Sequence, residues 1–359
     1  MHTLRVQASS HDYDVMVGKG LRHEAGRLLS SSYRHVFIIS DSNASKLYTD
    51  EVKAAFSEDI KVNDFVVPAG EQSKSMDMYA KLQDYCFQIG LDRHSVIIAL
   101  GGGMIGDLAG FVAATYMRGV DFVQMPTTIL AHDSSVGGKV AINHPESKNM
   151  IGSFYNPVQV IYDIDTLNTL PAQEKRSGYA EIVKHGCLDD PALFHELLAC
   201  DIAKISPEQM EIHLLKGIEI KANIVEKDEK EAGIRKYLNF GHTLGHAVES
   251  HLGYGEITHG EAVAAGMLFA MYISQSVLEA DLPIMAFRDW LRNNDYPIDR
   301  AFEIKAEKLL ERMKKDKKAI NESIHFVLLK RLGEVTVEPI ADKDLVSFIN
   351  RFKREVLDQ

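Results

Sequence analysis

Residues 96–110 read Val-Ile-Ile-Ala-Leu-Gly-Gly-Gly-Met-Ile-Gly-Asp-Leu-Ala-Gly, and no other stretch limits the fold so strongly. Five apolar, partly β-branched residues predict a buried strand. Three glycines follow at once, and then an apolar segment begins a helix. A strand that turns directly into a helix belongs to an α/β sheet, where the helix carries the chain back to a parallel neighbour. Gly101, Gly103 and Gly106 also fit the pattern G-x-G-x-x-G. Two readings account for them. A tight strand-to-helix turn uses glycine for its conformational range. A dinucleotide pyrophosphate needs close backbone approach and the N–H groups of a helix N-terminus. Asp107 stands in the first turn of that helix, where a carboxylate is stable but would repel a phosphate; a sugar hydroxyl is its expected partner.

The rest of the first half repeats the alternation. Apolar runs at 36–40, 60–67 and 122–125 predict strands, and 75–89 predicts a helix between two of them. Asp41 ends the first run, placed either to accept from a ribose hydroxyl or to cap a turn. Glu71 and Lys74, in Pro-Ala-Gly-Glu-Gln-Ser-Lys-Ser at 68–75, either hold a nucleotide or belong to a solvated turn. After Pro171 strand signals nearly vanish until 323–329 and 335–339. Ser206-Pro-Glu-Gln209 opens a helix with a serine cap, an early proline and a glutamine that closes a capping box. These patterns predict an α/β Rossmann-like domain over 1–167 and an all-α, mainly helical domain over 168–359, the two late strand signals aside.

The three cysteines form no C-x-x-C pair, so neither a disulfide framework nor a zinc ribbon is supported, and a cytoplasmic protein is expected. The N-terminus has no signal-peptide core, and the apolar run 262–273 is too short to span a bilayer and reads as a buried helix. A net charge of −11 argues against nucleic acid as a partner, but it leaves room for lysines and arginines to gather around a small anion.

The chemistry-bearing residues of the second half lie in three short segments. Tyr-Ala-Glu-Ile-Val-Lys-His at 179–185 carries Glu181 and Lys184 on one helix face, a pairing that is most often a surface ion pair but here has small and apolar flanks. Asn-Phe-Gly-His-Thr-Leu-Gly-His at 239–246 places His242 and His246 one turn apart, and His-Gly-Glu-Ala-Val at 259–263 adds a third imidazole. Glu181, His242 and His259 would give zinc three ligands and an open position, the arrangement of a catalytic rather than a structural ion. No H-E-x-x-H glutamate separates His242 from His246, so one of them is expected to bind metal and the other to contact substrate. Arg235 and Asn239, just upstream, read as anion and hydroxyl contacts. In the first half, Asp133, Lys139, Lys148 and Asn149 surround a Ser-Ser-Val-Gly-Gly loop that is not a P-loop but can bind phosphate or carboxylate. The lysines around Asp316 read as a solvated helix face or as one phosphate contact.

Taken in order, the motifs P-x-G-E-x-x-K-S, G-G-G-x-x-x-D-L-x-G-F, Y-x-R-G, P-T-T-x-L, D-S-S-V-G-G-K, K-N-M-I-G, T-L-P, A-E-I-V-K, L-N-F-G-H-T-x-G-H-A, H-G-E-A-V and D-K-K run from about 41 to 329. In them the chain resembles the sugar phosphate cyclases, and among these the dehydroquinate synthase family. The resemblance implies an NAD domain followed by a helical domain, with the active site between them. It implies zinc or cobalt on Glu181, His242 and His259. It places NAD against Asp41, Glu71, Lys74, Gly102, Gly103 and Asp107, and against Thr127, Thr128, Lys139, Lys148, Thr169 and Leu170. Substrate contacts fall on Asp133, Lys139, Asn149, Lys184 and Lys221, on Arg235, Asn239 and His246, and on one lysine after Asp316, taken as Lys317. Arg118 matches an arginine that reaches the partner subunit's site, which implies a homodimer. The implied reaction converts 3-deoxy-D-arabino-heptulosonate 7-phosphate to 3-dehydroquinate and phosphate, the second step of the shikimate pathway. It runs through transient oxidation by NAD⁺, elimination of phosphate, re-reduction and aldol closure.

Two other readings share parts of this pattern. A cyclase making another cyclitol would be expected to differ at Asn239 and His246. A metal-dependent polyol dehydrogenase shares the glycine turn and two histidines, but it has no need of Lys139, Lys184, Lys221 and Arg235.

Overall fold

The structure of the chain, a computed structural model, describes residues 1–29, 32–253, 255–316 and 323–359. It divides into two compact units: Met1–Leu170 with Lys221–Lys230, and Pro171–Ile220 with Glu231–Gln359.

The strands of the first unit are β1 (His2–Val6), β2 (Tyr13–Gly18), β3 (His35–Asp41), β4 (Lys61–Val67), β5 (Val96–Gly101), β6 (Asp121–Pro126), β7 (Lys139–His144), β8 (Ser147–Phe154) and β9 (Gln159–Asp163). Seven form one sheet in the order β1-β2-β9-β6-β5-β3-β4, parallel except where β1 meets β2. β3 and β5 are buried at every residue, because helices cover both faces. Successive side chains therefore serve two cores. Phe37, Ile39, Ile97 and Ala99 pack with Leu82, Leu108 and Val112, while Val36, Ile38, Ile98 and Leu100 pack with Leu21, Val52 and Met125. From β3 the chain goes to β4 on one side and returns to β5 on the other. The carboxyl ends of β3 and β5 thus flank a topological switch point, where open α/β sheets bind ligands.

The four strands predicted from apolar runs are present. β9 was missed although Val160-Ile-Tyr162 is an apolar run of the same kind, while β1, β2 and the β7–β8 hairpin carried no clear signal. β8 is mostly exposed, with glycine and polar residues instead of alternation, so only its pairing with β7 defines it. The segment before Lys139 is a loop with one short helical turn, Ala131–Ser134.

The second unit is mainly helical, with one antiparallel hairpin of β10 (Ser323–Arg331) and β11 (Glu334–Ala341), where the late strand signals stood. Its central helix, His259–Leu278, is buried along most of its length and packs against the helices Ala172–Leu188 and His242–Leu252 and against β10. That helix is longer than the apolar run 262–273. It is long and apolar enough to cross a membrane, but 78% of its apolar window is buried inside the protein, as a core helix requires. The capping box at Ser206 is formed: its Oγ accepts from the Gln209 N–H, and Gln209 Oε1 accepts from the Ser206 N–H.

Candidate metal and nucleotide sites

Glycines bring the second unit's three segments together. A Cβ on Gly266 would stand 1.9 Å from the Gly241 carbonyl oxygen, and one on Gly245 would stand 3.1 Å from the Val263 backbone. Gly241 itself has φ +81°, which starts the helix His242–Leu252 against the central helix. The central helix begins at His259 behind a Thr258–Glu261 capping box, and Arg176 and Gln173 hold the Glu261 carboxylate.

At this crossing Glu181 Oε1 lies 3.7 Å from His242 Nε2 and 3.6 Å from His259 Nε2. Ligand atoms on a tetrahedral zinc at 2.0–2.1 Å stand about 3.3–3.4 Å apart, so the spacing suits an ion of that size. The other ring nitrogens are engaged. His242 Nδ1 is 3.1 Å from the Phe240 carbonyl oxygen, and His259 Nδ1 is 3.2 Å from Glu249 Oε2. A proton on each Nδ1 leaves each Nε2 with its lone pair toward Glu181, the tautomer a ligand needs. Glu181 is 1% exposed. Lys184 forms an ion pair with it, yet neither carboxylate oxygen accepts a hydrogen bond of ordinary geometry among the described residues. A buried carboxylate left so is costly unless a cation completes it. Burial, and after it the charge of Lys184, pushes His242 well below the usual imidazole range, so it is neutral and able to ligate. The donor set fits zinc or cobalt.

His246 joins the same cluster, its ring centroid 5.3 Å from that of His242 and 5.7 Å from that of His259. Arg235 is 1% exposed, in the turn Ile234–Asn239 that packs against β10 and β11. Asn239 Nδ2 donates to Glu231 Oε1 at 3.0 Å. Lys317 lies outside the described residues.

In the first unit, the helix Gly103–Thr115 starts at the carboxyl end of β5. A Cβ on Gly103 would meet Ser134 Oγ at 2.9 Å, and one on Gly102 would meet Thr128 Cγ2 at 3.2 Å. These bare backbone positions at the switch point fit a pyrophosphate cradle. Asp41 ends β3 beside Gly101, and its Oδ1 accepts from the N–H groups of Asn43 and Ala44, so the turn-capping role is filled. The Thr127 N–H donates to the Gly101 carbonyl oxygen, and Thr128 Oγ1 accepts from Ala131 N. Thr169 Oγ1 is bonded to Tyr48 and to the Thr166 carbonyl oxygen, one residue before Leu170.

Glu71 and Lys74 do not form a solvated turn. Lys74 is 3% exposed; its Nζ donates to Asp107 Oδ2 at 2.6 Å and to Asn149 Oδ1. Burial alone would lower its pKa, but the carboxylates of Asp107 and Glu71 reverse that and raise it, so the lysine stays charged. Asp133 and Lys221 form a second pair at 3.1 Å. Gly138, at φ +62°, turns the chain where a Cβ would meet Asn156 Oδ1 at 2.4 Å, and Lys139 then opens β7. Lys148 and Asn149 lie on β8. Arg118 is exposed, with φ +66°, after the helix Gly103–Thr115.

Sequence reasoning gave no role to Glu249, Glu261, Arg176 or Asn143. Only the Thr-x-x-Glu spacing at 258–261 offered a local signal, that of a capping box.

The model of the 3-dehydroquinate synthase N-terminal region matches residues 64–177, and that of the C-terminal region matches residues 178–319. The chain is 52% identical over 338 residues to the 3-dehydroquinate synthase of Oceanobacillus iheyensis, covering 94% of each protein. It is 46% identical over 358 residues to that of Geobacillus thermodenitrificans, covering 98% of each. Among solved structures, a 2-deoxy-scyllo-inosose synthase complexed with carbaglucose-6-phosphate, NAD⁺ and Co²⁺ shares the fold at TM-score 0.89 and 24% identity, over 98% of this chain and 100% of that one. A probable glycerol dehydrogenase from Sinorhizobium meliloti is more distant in fold, at TM-score 0.64 and 15% identity, over 95% of this chain and 97% of that one.

Proposed function

The chain belongs to the 3-dehydroquinate synthase family, and from that premise we propose that it converts 3-deoxy-D-arabino-heptulosonate 7-phosphate to 3-dehydroquinate and inorganic phosphate. This makes it a carbon–oxygen lyase acting on a phosphate ester, in the shikimate route to chorismate. The observation that carries the reading is the buried Glu181 carboxylate, facing the Nε2 atoms of two imidazoles whose Nδ1 atoms are already engaged.

When bound, zinc or cobalt supplies Lewis-acid polarisation of substrate oxygens, and NAD supplies a hydride acceptor that returns the hydride. Glu181, His242 and His259 would hold the metal. Gly102, Gly103, Asp41, Glu71, Lys74, Asp107, Thr127, Thr128, Lys148, Thr169 and Leu170 would hold the nucleotide. The substrate carries a carboxylate and a phosphate, which accounts for buried cations in an acidic protein. Lys139, Lys184, Lys221, Arg235 and one lysine near Asp316 serve it. Asn149, Asn239 and Asp133 orient its hydroxyls. His246, Asn149 and Lys139 position the leaving phosphate, which takes the proton from the neighbouring carbon itself.

We further propose a cytoplasmic homodimer in which Arg118 serves the partner's site. Phosphate release from the heptulosonate phosphate, followed with NADH absorbance, tests the function. Dehydroquinate and phosphate without accumulating NADH support it. Stoichiometric NADH from simple polyols without phosphate release would move the chain to the dehydrogenases.

A further inference from the structure

Asn143 lies where the register between β7 and β8 shifts, between Ile142 and His144. A bulge there re-aims its side chain out of the alternation of the strand. Three hydrogen bonds then converge on this one residue. Its N–H donates to the Lys74 carbonyl oxygen at 2.8 Å, its Nδ2 donates to Glu71 Oε1 at 2.9 Å, and its Oδ1 accepts from the Asn149 N–H at 2.9 Å. The orientation of the amide is forced, because a carboxylate needs a donor and an N–H needs an acceptor. Asn149 has φ +56°, in the left-handed region that asparagine adopts more readily than most residues, and the bond to Asn143 helps to hold it there. Asn149 Oδ1 in turn accepts from Lys74. A closed circuit therefore joins Glu71, Lys74, Asn149 and Asn143.

We propose that Asn143 is a positioning residue that couples the nucleotide-binding turn Glu71–Lys74 to the substrate-binding Asn149. The inference rests on the roles given to those three residues above. Asn143 need not touch either ligand. It fixes the Glu71 carboxylate on one side and the Asn149 backbone on the other, so that ordering one favours the geometry of the other.

The test is a double-mutant cycle of Asn143→Asp with Glu71→Gln, read as the Kd for NAD⁺ by direct titration and as KM and kcat for the heptulosonate phosphate. Asn143→Asp keeps the acceptor for Asn149 but sets two carboxylates against each other. We expect it to raise the Kd for NAD⁺ and the KM each by about tenfold with a smaller change in kcat, the size of one charged hydrogen bond lost. In the Glu71→Gln background the amide can donate to the new carboxylate, and the same substitution should cost less than about threefold. An equal penalty in both backgrounds, or none in either, overturns the proposal. The NAD⁺ arm needs no turnover. A wild-type protein that releases no phosphate would therefore overturn the assigned reaction and leave the coupling to be judged on binding alone.

Discussion

Gly260 sits so close to Ser177 that a Cβ on it would stand 1.9 Å from the Ser177 carbonyl oxygen, and the Gly260 N–H donates to Ser177 Oγ at 3.1 Å. This contact sets the start of the central helix against the helix Ala172–Leu188, and so sets His259 beside Glu181. Gly260→Ala has no room unless the helices part. We expect a loss of about 1–3 kcal/mol or more, together with weaker zinc binding, measured by thermal melting with and without zinc. A variant with unchanged melting and unchanged zinc affinity would show that the contact does not set the site.

Glu249 should act on the metal through His259. Glu249→Ala frees the His259 ring to rotate and change tautomer, and zinc affinity should fall about 10–100-fold. Glu249→Gln keeps an acceptor and should fall less. Competition against a chromophoric chelator measures both, and equal affinity across the three proteins would remove Glu249 from the site.

Chelation should abolish phosphate release, and zinc or cobalt should restore it. Glu181→Gln replaces the buried anion by a neutral amide, so recovery should need a much higher metal concentration. Activity that survives exhaustive chelation would contradict the ligand set.

Stability should fall on the acid side. Burial holds His213 below the usual imidazole range, although the Glu196 carboxylate 3.2 Å away works the other way. The folded protein therefore keeps this ring neutral where the unfolded chain would protonate it. The unfolded state binds the extra proton, so stability is full above about pH 6.5 and drops as the pH falls below that value. His213→Gln should flatten part of that slope in urea melts at pH 5–7. An unaltered slope would assign the acid sensitivity to other groups.

At a zinc concentration that just saturates the native protein, Arg118→Ala and Glu181→Gln should each be inactive. Mixed and allowed to exchange subunits, they should regain activity, because one site in the mixed dimer would then hold both native groups. Mixtures as inactive as their parents would place Arg118 in its own subunit's site or outside any site.

The sequence by itself determined the pieces of this protein whose causes are local. Apolar, partly β-branched runs predicted β3, β4, β5 and β6, and a serine-proline start predicted the helix Pro207–Lys227. Residue types named the carboxylate and imidazoles of the metal cluster, because few side chains can ligate zinc. Tertiary structure alone decided what each residue does with its neighbours. Local spacing favoured a solvated turn over a site for Glu71 and Lys74, and it took the β7–β8 hairpin and Asp107 to bury Lys74. Nothing near Glu249 in sequence marks it as the anchor of His259, because two helices must first cross. Capping and periodicity act over three or four residues, whereas a ring's tautomer or a lysine's burial depends on segments that meet only when the core closes.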